Sequence, residues 1–324
     1  MDRRLALKTL AAAAAAQLAA QTPPPATPQA TPQPPQQAAP GAPATPQNAR
    51  RAPEVIVFSQ NLIQIEYPEL GDIVKQMGFD GVDLTVRPGG HVEPRLANVD
   101  QVRAFEVLQG NGLSIPIITT ALTTPADRTA VPVIALAGMS RVPLFRPGYW
   151  TYGTAPNIMS RLGEAQREFA GLLNIGRQYQ IAGVIHNQVG DNVGAAIWDV
   201  QRMIEPLDPG FAGFYFDPAN ATAEGGGGGW EIALRLALPR VKAVSVHDFF
   251  WEKQNDQWQM TKCPMGQGMV EWPKFFRMLA QANYTGPVTL DVGYTSRDMP
   301  AALAHDLQFV RKQIQVAWGL APKT

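Results

Sequence analysis

Gly213-Phe-Tyr-Phe-Asp217-Pro-Ala-Asn-Ala221 is a short apolar run that ends in a carboxylate followed at once by proline. An Asp-Pro pair opens turns, and that local role alone would account for Asp217. Three other runs close the same way: Gly183-Val-Ile-His186-Asn-Gln-Val, Val241-Lys-Ala-Val-Ser-Val-His247-Asp248 and Val288-Thr-Leu-Asp291-Val-Gly-Tyr294. Each is apolar until its C-terminal end, where polar side chains cluster. In a parallel barrel, that end is where strands and loops converge on a substrate.

Outward from these strands, the chain alternates two periodicities. Upstream, strands are predicted at 54–58, 81–86, 115–120, 142–145 and 184–188, with Asp83 inside the second and Arg87-Pro-Gly-Gly-His91 just beyond it. Between them lie helical faces: Leu70, Ile73, Val74 and Met77; Val99, Val102 and Phe105; a weak helix over 132–139; and Ile158, Leu162, Ala165, Phe169 and Leu172, with Gly176 set for close approach to the sheet. Ile197, Val200 and Ile204 form the next face. The glycine run 225–229 then precedes helices over 230–238 and 272–282, and a last face carries Leu303, Leu307, Val310 and Ile314. Eight strands alternating with eight helices imply one parallel α/β sheet, which closes into a single-domain (β/α)₈ TIM barrel over 53–319, with 320–324 as a tail. A doubly wound open sheet is disfavoured because no Gly-x-Gly-x-x-Gly follows the first strand.

Two segments precede the barrel. Residues 1–20 have a charged start with Arg3-Arg4 and an alanine-rich middle, and resemble a twin-arginine (Tat) export signal, with Asp2 and Ala6 departing from its usual pattern. The expectation is an exported, periplasmic protein with no transmembrane span in its mature form, since the apolar stretch is too short and weak. Residues 21–52 are almost wholly Pro, Gln, Ala and Thr, a composition that reads as a disordered tether.

Composition bounds the partners. Lys plus Arg equals Asp plus Glu at 27 each, so no global field draws the chain to nucleic acid. Cys263 is the single cysteine, which excludes an intramolecular disulfide and a thiolate metal cluster. A homo-oligomer is left open.

Gly78-Phe-Asp-Gly-Val-Asp83-Leu, the Phe-Asp217-Pro strand end, His247-Asp248-Phe, Gly266-Gln-Gly268-Met-Val-Glu-Trp-Pro and Gly286-Pro-Val-Thr-Leu together resemble the sugar phosphate isomerase/epimerase superfamily, the xylose-isomerase-like TIM barrels. The resemblance runs from about Pro53 to Gly319. It implies a divalent metal (Zn, Mn, Co or Mg) held by Glu, Asp, His and Glu from four strand ends, and proton transfer beside a sugar carbonyl. Carried over, only Asp217 matches directly. The fifth-strand Glu falls on or near His186, the seventh-strand His on Ser245 and the eighth-strand Glu on Gly293. Because Ser245 and His247 share a strand face, as do Asp291 and Gly293, a substituted metal set of His186, Asp217, His247 and Asp291 is the alternative.

The expected protein is therefore a sugar isomerase or epimerase acting on a sugar or keto-sugar. Its catalytic candidates are Asp217, His247, Asp248 and Asp291, with His186 assisting. Asp248 equally suits a turn cap. His91, Asp83, Arg87, Trp150, Trp251 and Asn187 are expected to contact the carbohydrate, aromatic faces suiting sugar C–H groups. Tyr149, Phe249, Phe250 and Trp258 join that aromatic set, although such rings also pack loops onto a barrel mouth. His305 reads as a solvated helix residue and Glu271 as a carboxylate at a helix start. Two other readings are a metal-free lyase on oxidised sugars and a non-catalytic carbohydrate-binding barrel. Phosphodiester cleavage is disfavoured, because a several-metal site needs more histidines than the four present.

Overall fold

The computed structural model describes residues 51–67 and 69–321. The leader and all but the last two residues of the tether read at 21–52 lie outside the described residues. Eight barrel strands, β1 (Val55–Phe58), β2 (Gly81–Val86), β3 (Ser114–Thr120), β4 (Leu144–Arg146), β5 (Ala182–His186), β6 (Ala212–Phe216), β7 (Val241–Val246) and β10 (Val288–Leu290), are all parallel and close in the order β1-β10-β7-β6-β5-β4-β3-β2. An added hairpin, β8 (Asp248–Gln254) and β9 (Gln257–Cys263), stands after β7. The helices are α1 (Glu69–Met77), α2 (Ala97–Gly110), α3 (Ala130–Met139), α4 (Ile158–Gln178), α5 (Ile197–Ile204), α6 (Pro218–Ala237), α7 (Trp272–Gln281) and α8 (Met299–Trp318). The fold class read from the sequence is the one observed. Among the described residues no helix is long and apolar enough to cross a membrane.

Strand alternation sorts the core into two shells. Ile56, Ile117, Leu144, Ala182, Val184, Tyr215 and Ala243 point into the barrel and form one cluster. Their chain neighbours Val57, Ile118, Phe145, Ile185, Phe214, Phe216 and Val244 point outward and pack under the helices. Gly176 lets α4 approach the sheet: a Cβ there would stand 2.5 Å from the Ile181 carbonyl oxygen and 3.2 Å from the Phe145 ring.

Several elements differ from the sequence expectation. Val99 is exposed, and α2 instead buries Ala97, Gln101, Ala104, Phe105 and Leu108. A glutamine can occupy that face because its Nε2 donates to the Val133 carbonyl. The glycine run sits within α6, which starts directly after Asp217 and breaks across non-helical Gly226–Gly228. The hairpin was not expected. Asn255 and Asp256 both have positive φ (49° and 60°), the two-residue turn whose twist matches a hairpin, and pairing runs from Gln254↔Gln257 to Asp248↔Cys263.

Outside the barrel, Phe275 lies among four rings: Phe216 at 6.3 Å, Trp230 at 6.5 Å, Trp272 at 6.0 Å and Phe276 at 5.4 Å between centroids. It is fully buried. Phe275→Ala is expected to lower unfolding stability by about 3–5 kcal/mol, measured by denaturant titration of the purified protein.

Candidate active site

The inward rows that are apolar low in the barrel become polar at the C-terminal ends of the strands. Ile117 is followed inward by Thr119, Leu144 by Arg146, Val184 by His186, and Ala243 by Ser245 and then His247, while the first row stays apolar from Ile56 to Phe58. All of the upper residues, together with Asp83, Arg87, Tyr149, Gln188, Tyr215, Lys262 and Asp291, line one cavity of about 80 Å³.

Asp217 lies one layer behind this lining. It is fully buried, and its two oxygens do different work. Oδ1 accepts from the Asn220 backbone N–H at 2.9 Å and caps α6. Oδ2 lies 3.3 Å from His186 Nε2 and 3.1 Å from His247 Nδ1. His186 donates a hydrogen bond to it. The His247 N–H direction misses the oxygen, so that contact is electrostatic, and His247 Nε2, also buried, has no partner. Burial alone would push the Asp217 carboxyl up, but His247 and His186 beside it hold it well below the usual carboxylate range. Burial lowers the pKa of His186, so a neutral imidazole meets an ionised carboxylate. The Tyr149 hydroxyl lies 2.9 Å from His186 Nδ1 and 3.2 Å from Gln188 Oε1 and, with one proton, donates to one of them at a time.

Asn187 positions Asp217 instead of reaching substrate. Its Nδ2 donates to the Asp217 carbonyl at 2.9 Å, and its Oδ1 accepts from the Asp217 backbone N–H at 2.8 Å. On the far wall, Asp83 accepts from Thr119 Oγ1 and the Tyr215 hydroxyl, both at 2.8 Å. Asp291 accepts from Asn61 Nδ2 at 3.1 Å and from Lys262 Nζ at 3.4 Å. Burial pushes the Asp291 carboxyl up, and Lys262, His247 and Asn61 more than reverse that, leaving it below its ordinary value.

Other candidates lie outside the cavity. Asp248 is a structural carboxylate: Gly266 and Gly268 N–H groups and Trp272 Nε1 donate to its Oδ2 at 2.9, 3.1 and 2.8 Å, closing the loop after β9. Trp150 is buried against Phe169 with its Nε1 bonded to the Thr123 carbonyl. Trp251 is exposed on the hairpin, edge-on to Phe249. His91 lies in the loop after β2, where its Nε2 meets the Ile65 carbonyl oxygen at 3.2 Å. His305 is solvated, as expected. The sequence does not single out Phe58, Asn61, Thr119, Arg146, Tyr215 or Lys262 for the site. Arg146 ends β4, one residue beyond the strand predicted at 142–145, and Lys262 belongs to the hairpin strand β9.

The chain belongs to the family described as xylose isomerase-like TIM barrel, which matches residues 71–313. Solved structures with this fold include 3-keto-D-glucoside 4-epimerase from E. coli (14% identical, covering 80% of this chain and 99% of that one, TM-score 0.63). A xylose isomerase-like TIM barrel protein from Mycobacterium smegmatis in complex with magnesium is 15% identical, covering 82% and 97%, at TM-score 0.64. D-allulose 3-epimerase from Methylomonas sp. in complex with D-allulose is 11% identical, covering 81% and 97%, at TM-score 0.64. The comparison with curated proteins found no match.

The residues present do not fit the four-ligand metal site that the resemblance implied. Among the described residues no group of three or more His, Cys, Asp or Glu is arranged to hold a metal ion. Of the substituted set, His186, Asp217 and His247 come together, but the two imidazoles face the same carboxylate oxygen, and Asp291, in the same cavity wall, is taken by the Lys262 ammonium group. At position 293, where the resemblance puts a carboxylate, glycine leaves room that Lys262 fills: a Cβ there would meet its Cδ, Cε and Nζ, with Cε 2.6 Å away. A lysine in that place repels a divalent cation.

Burial pushes the Asp83 carboxyl up to about 6 despite the opposing Thr119 and Tyr215 hydrogen bonds and the Arg146 charge. A raised folded pKa contributes stability that is whole below the unfolded value near 3.8 and is lost as pH rises through about 6. Asp217, with its depressed pKa, acts in the opposite sense, losing its contribution as pH falls below about 4. Comparing wild type with Asp83→Asn cancels the Asp217 term. The variant is expected to gain roughly 2–3 kcal/mol relative to wild type between pH 4 and pH 8, read from denaturant titrations across that range.

Proposed function

We infer that the protein is a sugar epimerase or isomerase that moves a proton beside the carbonyl of a keto-sugar, using its own side chains. The observation that carries this reading is His247: a buried imidazole in the cavity wall, backed on one side by an ionised carboxylate and with an unpartnered nitrogen on the other. The adjacent carboxylate charge stabilises the imidazolium formed when Nε2 takes a proton from carbon. As the proton leaves, charge builds on the carbonyl oxygen. Lys262 is the cation placed to meet it, with Asp291 setting the position of the ammonium. Return of the proton from His247 to the neighbouring carbon gives an isomer, whereas an epimer needs a proton delivered to the opposite face by a second acid. The sugar epimerases that share the fold support the same substrate class, and the leader read in residues 1–20 adds an exported location to the proposal.

Incubation of the purified chain with a panel of keto-sugars in heavy water, followed by proton NMR, tests this directly. Deuterium is expected to replace hydrogen at a carbon next to the carbonyl, with His247→Gln slowing exchange by about 10²-fold or more while circular dichroism is unchanged. Exchange that persists in the variant removes His247 from the role of base. Sugar binding without exchange at any carbon assigns the barrel to carbohydrate binding alone.

A further inference from the structure

The cavity holds a second feature that proton transfer does not use. Arg146, at the end of β4, is 5% exposed, and its Nε is buried without a partner. Its guanidinium lies over the Tyr149 ring, 4.3 Å from the centroid, so the ring covers its face while the edge bearing the N–H donors is left for an in-plane acceptor. Arg87, on the loop leaving β2, lines the same cavity. Gln60 Oε1 accepts from its Nε at 3.2 Å and from one terminal nitrogen at 2.9 Å, and the group sits over Phe58. Burial, and then the charge of Arg146, depress the pKa of Arg87, so the two cations feel one another.

Among the described residues no carboxylate pairs with either guanidinium. The carboxyl that acts on Arg146 electrostatically, Asp83, has both oxygens engaged by the Thr119 and Tyr215 hydroxyls. Two guanidinium groups held close in a confined cavity, one of them almost wholly buried, have no carboxylate of the protein at contact distance, and Asp83 and Asp291 act on them only from farther off. A buried cation is stable when an anion with hydrogen-bonding geometry meets it, and a guanidinium fork matches a planar carboxylate.

We propose that Arg87 and Arg146 form an anion-binding fork and that the substrate is an acidic sugar, a uronate- or aldonate-type keto-sugar whose carboxylate they hold. This deepens the proton-transfer reading and rests on it for the word substrate, but the fork itself is a binding site that can be measured without turnover. With the carboxylate fixed by the β2 and β4 ends, the rest of the sugar lies toward His247 and Lys262 on the β7 side of the mouth. The fork thus selects which end of the molecule reaches the base.

The test is calorimetric binding to the full chain at fixed, low ionic strength. The probes are D-glucuronate and D-gluconate, the neutral sugars D-glucose and D-fructose, D-glucose 6-phosphate and inorganic phosphate. The acids are expected to bind at least about tenfold more tightly than the neutral sugars. That ratio should fall to about one in Arg146→Gln and, as an independent variant at a less buried position, in Arg87→Gln. It should survive in His247→Gln, which separates failure of the fork from failure of the proton-transfer reading. Equal binding of acidic and neutral sugars, no sugar binding at all, or a preference retained in both arginine variants overturns the proposal. Binding of inorganic phosphate and the phosphorylated sugar in place of the carboxylates overturns it too, and assigns the fork to phosphoryl groups.

Discussion

Closing eight parallel strands into a ring makes every second side chain point into a space too narrow for solvent, and that constraint governs the rest of this molecule. Low in the barrel the inward positions carry Ile56, Ile117, Leu144, Val184 and Ala243, and the interior is a packed apolar plug. One pleat higher the same rows carry Thr119, Arg146, His186 and Ser245. Nothing changes in the backbone between those levels. Each strand simply runs two residues further, so the apolar plug becomes the floor of a charged cavity.

The electrostatics of that cavity turn on where each charge finds its partner. Asp217, sealed beneath the surface, gives one oxygen to the helix cap and shares the other between two imidazoles. Capping and site-building are thus the same residue's work. Asp291 and Lys262 neutralise each other at the mouth. Asp83 is held by hydroxyls, and burial raises its pKa to about 6. Arg87 and Arg146 are what remains: positive charge on the β2–β4 side with no carboxylate at contact distance, across the cavity from His247.

The hairpin after β7 supplies part of this donor set. β8 begins at Asp248, whose carboxylate ties down the loop that follows β9, and β9 delivers Lys262 into the room left by Gly293. A side chain from an inserted element thereby occupies a place that would otherwise belong to the eighth strand. The rigidity of the Asp248 network gives that lysine a fixed approach to the cavity.

Much of the architecture is legible in the chain because periodicity is a local property. The run from Gly213 to Asp217, the ends at His186, His247 and Asp291, and the face of Leu303, Leu307, Val310 and Ile314 each announce their element without reference to the others. The presence of His186, Asp217 and His247 in one cluster follows from strand ends in a parallel barrel, and Asp83 and Arg87 were visible for the same reason. What tertiary structure alone decided is which of these polar groups faces the cavity and what each touches. Asp248 and Trp150 read as site residues but are consumed by hydrogen bonds with other segments, Asp248 accepting and Trp150 donating, Trp251 stands out on the hairpin, and Val99 turned outward while Gln101 donates to a carbonyl on α3. Lys262 reached the cavity through a hairpin whose placement no local pattern encodes, and Arg146 became an unpartnered buried cation only because no carboxylate on the neighbouring strands came within reach. Sequence spacing determines the face of an element, whereas partners belong to the closed barrel, since they are set by contacts between residues far apart in the chain.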